Sequence, residues 1–430
     1  MFPLGFRTRP TEYDAAPGTS VASWNADAAR VFPLHHSARL TDLLVSLLLI
    51  GRVAVPGLPT GSFDQLGLFI LVLLAIFRRP VRAVPVWYPA AALGLMAFLV
   101  FESAVNDIEP GAFIQRSLNI SLSLVTAGFM ASGRIDVASV VKGIGIALAL
   151  NTVLFYAGIA PHPYGSFLTG YLGDKNVSGL FFATMPLLIA VAMPRWWQRI
   201  AVVVLGGGAL WLTGSRTSMA AYVAALVWIA VSAKGNWLVK VGVGAGLYAA
   251  FTYASDNLAN IGRFAAREGS DEFRAQIDAA TFAKVDATPW YGKGLSEATV
   301  TLPNGGGTWF FHNSFAALWV EGGIVMTVVV LALYGGSMVA LSLRTAGRWR
   351  DRMAVGGGAG ERTKPALRAD RLAVAGAIGA VLLCATRLGE VFVAQIGFIV
   401  LGAALALLLE TRRFEASEWV PARRRDRDEE

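Results

Sequence analysis

The sequence predicts an all-α, polytopic helical membrane protein with about 12 transmembrane helices and one long external loop. Three observations indicate this fold class. Of the 430 residues, 55% are hydrophobic and only 15% are charged, whereas soluble domains carry about 25% charge. The mean hydropathy is +0.54. The apolar residues also come in blocks of roughly 16 to 25, long enough for a helix to cross a hydrocarbon core of about 30 Å.

The same counts exclude several classes of protein. So little charge cannot cover the surface of a soluble enzyme, and the long apolar blocks are unlike a disordered chain or an outer-membrane barrel. The single cysteine, Cys384, excludes a disulfide scaffold. The 4 histidines form no cluster with metal-ligand spacing. We therefore expect neither a metal nor another cofactor, and we assign the net charge of +8 to cytoplasmic loops rather than to nucleic-acid binding.

The elements follow in order along the chain. Residues 1–38 are polar and lack a signal-peptide pattern, so we expect a disordered cytoplasmic tail. Residues 39–254 contain transmembrane helices 1–9, residues 313–410 contain helices 10–12, and the external loop 255–312 lies between them. A basic cytoplasmic loop, 344–370, interrupts the last group, and 411–430 form a cytoplasmic tail. The predicted spans lie at about 40–56, 65–78, 85–105, 111–132, 136–158, 176–194, 199–214, 217–233, 237–254, 314–343, 371–387 and 390–410.

The orientation follows from the basic residues, which concentrate in alternate connections between the blocks. All of these connections lie on one side if both termini are cytoplasmic, as the inside bias of Lys and Arg requires. We therefore expect a multi-pass protein of the cytoplasmic (inner) membrane. The residues concerned include Arg78, Arg79, Arg82, Arg134, Arg195, Arg199, Lys234, Lys240, Arg412, Arg413, Arg423, Arg424, Arg425 and Arg427.

The external loop departs from this bias, because it is basic although it lies on the translocated side. Long loops are uncommon without a function, so we expect that function requires these charges. The basic residues of the loop are Arg263, Arg267, Arg274, Lys284 and Lys293.

Two short segments before the long loop carry candidate functional residues. Lys175 and Asn176 open the sixth span, where Asn176 could equally well cap the helix. Arg216 lies in a short external turn at the membrane surface, where an unpaired charge is costly. It could simply pack between helices or extend toward water. Alternatively it could clamp a phosphate, because guanidinium presents a planar fork that matches two phosphate oxygens.

Two further features lie in the loop itself. An amphipathic helix carrying Arg274 is expected to start near Asp271 and to end at Pro289 and the glycines after it. His312 then stands at an aromatic-lined membrane interface, where the loop returns to the next span. The stretch 312–322 is expected to form a short interfacial helix that breaks at the glycine pair before the span.

These four features, in this order over roughly residues 100–345, resemble the O-antigen ligase/polymerase family of bacterial envelope glycan enzymes. The resemblance implies an outward-facing site that acts on undecaprenyl-diphosphate-linked glycans. It matches Arg216 and Arg274 to the family's essential arginines, which we expect to bind the diphosphate, and His312 to its catalytic histidine. Further substrate-binding candidates are Lys175, Asn176, Arg263, Arg267 and Glu321.

The chemistry of these residues suits a metal-independent, inverting glycosyltransferase. Preorganised arginines can stabilise a departing diphosphate without a metal, and histidine is a suitable base for an acceptor hydroxyl. The expected partners are the lipid-linked donor, membrane lipid, and a glycan, lipid or protein acceptor. Polymerase, ligase and protein O-glycosyltransferase all remain open.

A multi-spanning transporter or lipid flippase is the alternative from another functional class. Transporters place ionisable residues near the bilayer midplane and are often built from repeats. No clear repeat is visible in this sequence, and its charged candidates cluster at one face. Arg387 and Glu390 are among the few exceptions, and they lie near the estimated ends of spans.

Overall fold

A computed structural model of the chain describes residues 39–54, 62–232, 237–257, 268–302, 307–343 and 363–418. The predicted N-terminal tail, most of the predicted basic loop, and the candidates Arg263 and Arg267 lie outside these residues. The described part is mostly helical, with 13 helices. Their bounds are α1 Leu40–Ser46, α2 Phe63–Ile76, α3 Trp87–Val105, α4 Pro110–Ser132, α5 Val137–Tyr156, α6 Lys175–Ala192, α7 Trp196–Thr213, α8 Arg216–Ser232, α9 Trp237–Asn257, α10 Glu268–Asp286, α11 Ser314–Leu343, α12 Thr363–Ala385 and α13 Gln395–Glu418.

Each predicted apolar block overlaps one of these helices, and α10 is the additional helix in the loop. The first block, predicted over 40–56, is helical only as far as Ile50, and the last, predicted to begin at 390, begins at Gln395. Within the described ranges, four helices are long and apolar enough to cross a membrane, namely α3, α5, α6 and α11. The shorter apolar helices are Leu40–Ile50, which joins α1 to a 3₁₀ turn, Phe63–Ile76, Arg216–Ser232 and Gln395–Glu410. The helical membrane fold is therefore confirmed, whereas the count of about 12 spans stays a prediction.

Two helices extend beyond their predicted limits. The α12 helix begins at Thr363, inside the segment expected to be a basic loop. Pro365 lies in its first turn, where the missing N–H costs no helical hydrogen bond. The α13 helix continues to Glu418, inside the predicted C-terminal tail. The predicted start of α12 and the predicted end of α13 were both placed from apolar content. The end turns of these helices are polar, so apolar content does not detect them.

The centre of the bundle is α6, of which 78% of the most apolar stretch is buried. It packs against α5, α7, α8 and α12, while α4 packs along α13 and α8 along α12. Gly206 of α7 permits one of these close approaches, since a Cβ there would lie 2.3 Å from Cγ of Pro186 in α6. Small residues at such contacts are typical of membrane helices.

The long loop folds onto one end of this bundle, which we call the loop end. Strands β1, Thr299–Thr301, and β2, Thr308–Phe310, pair antiparallel in a hairpin that the all-α prediction did not include. The α10 helix packs against β1 and against the start of α11. The buried residues that join these three elements are Ile277, Ala298, Val300, Leu302, Phe311, Ala316, Ala317 and Val320. The loop therefore has a hydrophobic core of its own.

Candidate active site

His312 lies between β2 and α11, at the point where the loop returns to the bundle. The neighbouring Asn313 caps α11, because its side-chain oxygen accepts hydrogen bonds from the N–H groups of Phe315 at 2.9 Å and Ala316 at 3.2 Å. Asn313 therefore performs the capping, and the half-buried imidazole of His312 has no part in it.

The surroundings of His312 favour its neutral form. Burial lowers the pKa of the imidazole from its ordinary value, and the positive charge of Arg274 lowers it further. Asp278 and Asp174 act in the opposite direction, since their carboxylates favour the imidazolium. The net direction is downward, so the imidazole can accept a proton at neutral pH.

The loop helix α10 presents Arg274 and Asp278 to this histidine. These residues are one turn apart and therefore lie on the same side of the helix. Ile277, which is 1% exposed, anchors the adjacent side in the loop's core. Burial raises the pKa of the half-buried Asp278 carboxyl, whereas the charges of His312, Arg274 and Arg387 lower it. The structure thus brings two predicted site residues together with two that were not predicted.

Arg216 is the first residue of α8, at the same end of the bundle. Its position depends on close packing between α6 and α8, where a Cβ on Gly179 would lie 2.4 Å from the Cβ of Ser215. Ser215 and Ser218 are joined by a 2.9 Å hydrogen bond between their hydroxyls, which closes the first turn of α8. This packing places Arg216 at the loop end, with its side chain half-buried.

The cap of α6 differs from the residue considered in the sequence analysis. Asp174, not Asn176, is the N-cap, and its carboxylate accepts the N–H groups of Asn176 at 2.7 Å and Val177 at 3.0 Å. The other oxygen accepts the hydroxyl of Tyr164 at 2.7 Å. Lys175 places its ammonium 5.6 Å from the centre of the Tyr164 ring. Burial, together with the Asp174 carboxylate, raises the pKa of Tyr164 to about 12.

Glu321, a predicted substrate-binding candidate, lies in a buried ion pair inside the bundle. Its side chain is 1% exposed, and one carboxylate oxygen lies 2.7 Å from Nε of Arg116 and accepts the N–H of Ser296 at 3.0 Å. Nη2 of Arg116 reaches the second carboxylate oxygen at 2.9 Å. Both oxygens therefore have protein partners. The same arginine also holds Glu390 at 2.7 Å through Nη1.

The predicted break in α11 is confirmed at the glycine pair. Gly322 and Gly323 leave the helical conformation, with φ of −150° and 55° respectively. The segment after α10 fits into this break. The N–H of Lys293 donates to the carbonyl of Val320 at 2.7 Å, and the carbonyl of Trp290 accepts the N–H of Ile324 at 2.8 Å. The loop is thereby joined to α11, the helix that follows His312.

Four residues of this arrangement were missed at the level of sequence. Asp278 could have been predicted as a site residue, since it lies one turn after Arg274 on the predicted amphipathic helix. Asp174 could have been predicted as well, because Asp is a favoured N-cap residue. Arg387 was associated only with transport. Nothing near Arg116 in the sequence indicates its partners Glu321 and Glu390, which lie far along the chain.

The fold and this arrangement define an integral membrane protein with a histidine, carboxylates and arginines gathered at one end of its helices. Residues 201–331 match the model of a family described as O-antigen ligase. The match confirms the predicted resemblance to the O-antigen ligase/polymerase family over this segment, which includes Arg216, Arg274 and His312. At the level of the family, it supports a glycosyltransferase-like ligase or polymerase with a polysaccharide or lipid-linked substrate. No curated protein matches the chain.

Proposed function

We propose that the protein transfers a glycan from an undecaprenyl-diphosphate carrier to an acceptor hydroxyl at the outer face of the cytoplasmic membrane. The observation that carries this proposal is the grouping of His312 with Arg274 and Asp278 where the loop packs on the helix bundle. All three residues lie in the segment that matches the family. A lipid carrier requires a site at the edge of a helix bundle rather than on a separate soluble domain. A charged leaving group requires fixed cations beside it.

In the proposed reaction, His312 removes the proton from the acceptor hydroxyl as its oxygen attacks the anomeric carbon of the donor glycan. The bond from that carbon to the phosphate oxygen breaks, and its electron pair leaves with the carrier diphosphate. Attack from the face opposite to the leaving group inverts the anomeric configuration. The proton stays on His312 until solvent or the next substrate removes it, and Asp278 stabilises the imidazolium in the meantime.

Arg216 and Arg274 are proposed to hold the diphosphate through bidentate hydrogen bonds. Their positive charge then does the work that a divalent cation does in other transferases. Lys175 and Asn176, beside the Asp174 cap, are candidates for contacts with the donor or the acceptor. Arg263 and Arg267 stay candidates on the sequence evidence alone.

The direct test is to incubate purified protein with an undecaprenyl-diphosphate oligosaccharide in three parallel reactions. One contains the donor alone, and the others add a lipid-linked glycan or a peptide acceptor. Extended glycan identifies a polymerase, and a conjugate identifies a ligase or a protein O-glycosyltransferase. Free carrier diphosphate must appear in proportion to the product. A protein that forms no product in any reaction, yet moves the lipid across liposome membranes, would instead be a flippase.

Replacement of His312 is the first variant to test. A positioned base contributes roughly 10²–10⁴-fold to rate, so His312→Ala should lose about that much turnover and keep its affinity for donor. Thermal unfolding must show that the variant is folded. A folded variant with a near-normal rate would remove the base assignment and favour a substrate-assisted route.

The flippase alternative has one structural observation in its favour. Arg116, Glu321 and Glu390 form ion pairs within the bundle, and ionisable groups among membrane helices often mark a transport path. These groups, however, fasten the start of α11 to its neighbours beneath the loop. Transferase chemistry accounts better for the histidine and the arginines above them.

A further inference from the structure

The turn between α12 and α13, residues 386–394, lies directly against the segment that carries His312. Ser314 joins the two, since its hydroxyl donates to the carbonyl of Leu388 at 2.5 Å and accepts the N–H of Val391 at 2.9 Å. Gly389 has no room for a side chain, because a Cβ there would lie 1.9 Å from the Phe311 carbonyl oxygen. The turn and the histidine segment therefore form one packed unit.

A second set of contacts holds this turn from inside the bundle. Glu390 adopts a left-handed backbone conformation, with φ of 61°, which costs free energy unless the surroundings compensate. Its carboxylate pairs with Nη1 of Arg116 at 2.7 Å. Arg116 is itself fixed by Glu321, in the first part of α11. An ion pair with α4 thus holds the Glu390 side chain of this turn.

Arg387 is the second residue of this turn, and its backbone N–H donates to the carbonyl of Cys384, near the end of α12, at 3.1 Å. The side chain is half-buried and acts electrostatically on Asp278 of the loop helix. The end of α12 also meets the start of α8, since Sγ of Cys384 lies 3.9 Å from Oγ of Ser218. Arg387 therefore follows a helix end that contacts the start of α8, and its charge acts on Asp278 of α10, which places it at the loop end.

We propose that Arg387 is a third guanidinium of the donor site, which stabilises the carrier diphosphate as it leaves, and that Arg116 and Glu390 are positioning residues for it. This inference rests on the proposed function. When the bond from sugar to phosphate breaks, the carrier diphosphate gains negative charge that it did not carry as a diester. A cation beside it interacts more strongly with the leaving group than with the bound donor, and such an interaction raises kcat.

The test measures Arg387→Gln in two ways. The first is direct binding of free undecaprenyl diphosphate to protein in nanodiscs, which needs no turnover. The second is a full kinetic analysis with donor and acceptor. A lost hydrogen bond to a charged group corresponds to a change on the order of 10- to 100-fold. We expect that weakening in diphosphate binding and a similar fall in kcat, with the KM for acceptor unchanged.

The matched control is Arg195→Gln, which removes an exposed arginine at the opposite end of α6 from Lys175 and should change neither quantity. The positioning role is tested by Glu390→Gln, which should lower kcat less than Arg387→Gln. The double variant should lose little more than Arg387→Gln alone, because both changes remove one interaction.

Normal diphosphate binding and normal kcat in a folded Arg387→Gln variant would overturn the inference, and so would a change confined to thermal stability. The latter would identify an arginine that only stabilises the end of α12. If the wild-type protein binds undecaprenyl diphosphate but transfers no glycan, the proposed function fails, and the binding assay still decides whether Arg387 holds the diphosphate. A wild-type protein that does not bind this lipid would refute both.

Discussion

At the scale of single residues, the pKa of His312 connects the site to a measurable property. Burial and Arg274 lower this pKa, whereas Asp278 and Asp174 raise it. The base is active only when it is neutral, so activity is lost as the pH falls through the pKa of the folded protein. Because that pKa is lowered in the ligand-free protein, we expect the acid limb of the kcat/KM profile to lie below the ordinary histidine value of 6.5.

Asp278→Asn tests the same balance of charges. The substitution removes a carboxylate that raises the pKa of His312, so the acid limb of kcat/KM should move to a still lower pH. A pH–rate profile of both proteins measures the shift. Glu272→Gln, an exposed change on the same helix, is the control and should leave the profile in place. An acid limb that stays fixed or moves upward in Asp278→Asn would mean that His312 is not the group that titrates.

A separate prediction concerns the substitution of Arg216 and Arg274 by lysine, because Lys keeps the charge of Arg but not its planar fork. Arg216→Lys and Arg274→Lys should each lower turnover by about 10-fold or more, since a charged hydrogen bond is worth roughly 1.5–3 kcal/mol. Transfer assays at saturating donor measure this. If both variants keep full activity, the clamp is misassigned, and Arg263, Arg267 and Lys175 become the candidates to substitute.

At the scale of elements, the break in α11 joins the loop that ends at His312 to the helix bundle. The segment 289–294 fills the break with backbone hydrogen bonds, which join the short first part of α11 to the loop. Gly323 is required there because a side chain would meet the docked backbone. A Cβ on Gly323 would lie 2.1 Å from the carbonyl oxygen of Trp290.

Gly323→Ala should therefore release the loop from the bundle. Its φ of 55° and ψ of −148° are strained for any residue with a side chain, which costs about 1–3 kcal/mol before the steric clash is counted. We expect a lower Tm and a large loss of transfer activity, measured on the same preparation. Gly335→Ala is the matched control in the same helix, where a Cβ meets nothing within 4 Å. Equal behaviour of the two variants would show that the docking does not matter.

At the scale of the whole molecule, the site requires that the loop face the side where the lipid-linked donor is presented. The inside bias of basic residues predicts that both termini lie in the cytoplasm and that the loop lies outside. Ser270→Cys should react with a membrane-impermeant thiol reagent added to intact cells, whereas Gly358→Cys should not. Cys384 is buried and gives little background. The reverse pattern of labelling would overturn the orientation and, with it, the proposed outer-face reaction.

The sequence predicted the helical elements well, because each apolar block long enough to cross a bilayer became a helix. It also located the candidate residues Arg216, Arg274 and His312, which stand at the ends of these blocks or in the basic loop between them. The hairpin was missed because strands of three residues, Thr299–Thr301 and Thr308–Phe310, are too short to show an alternating pattern.

What the sequence determined by itself was local: the helices, the amphipathic loop helix and the break at Gly322 and Gly323. Each of these depends on residues that are neighbours in the chain. Only the tertiary structure decided which charges face one another. Arg116 meets Glu321 and Glu390 across separations of 205 and 274 residues. The charge of Arg387 acts on Asp278 only because the loop folds back onto the bundle. No periodic pattern in a sequence predicts such pairs, since their energy comes from contacts that exist only after the helices have packed.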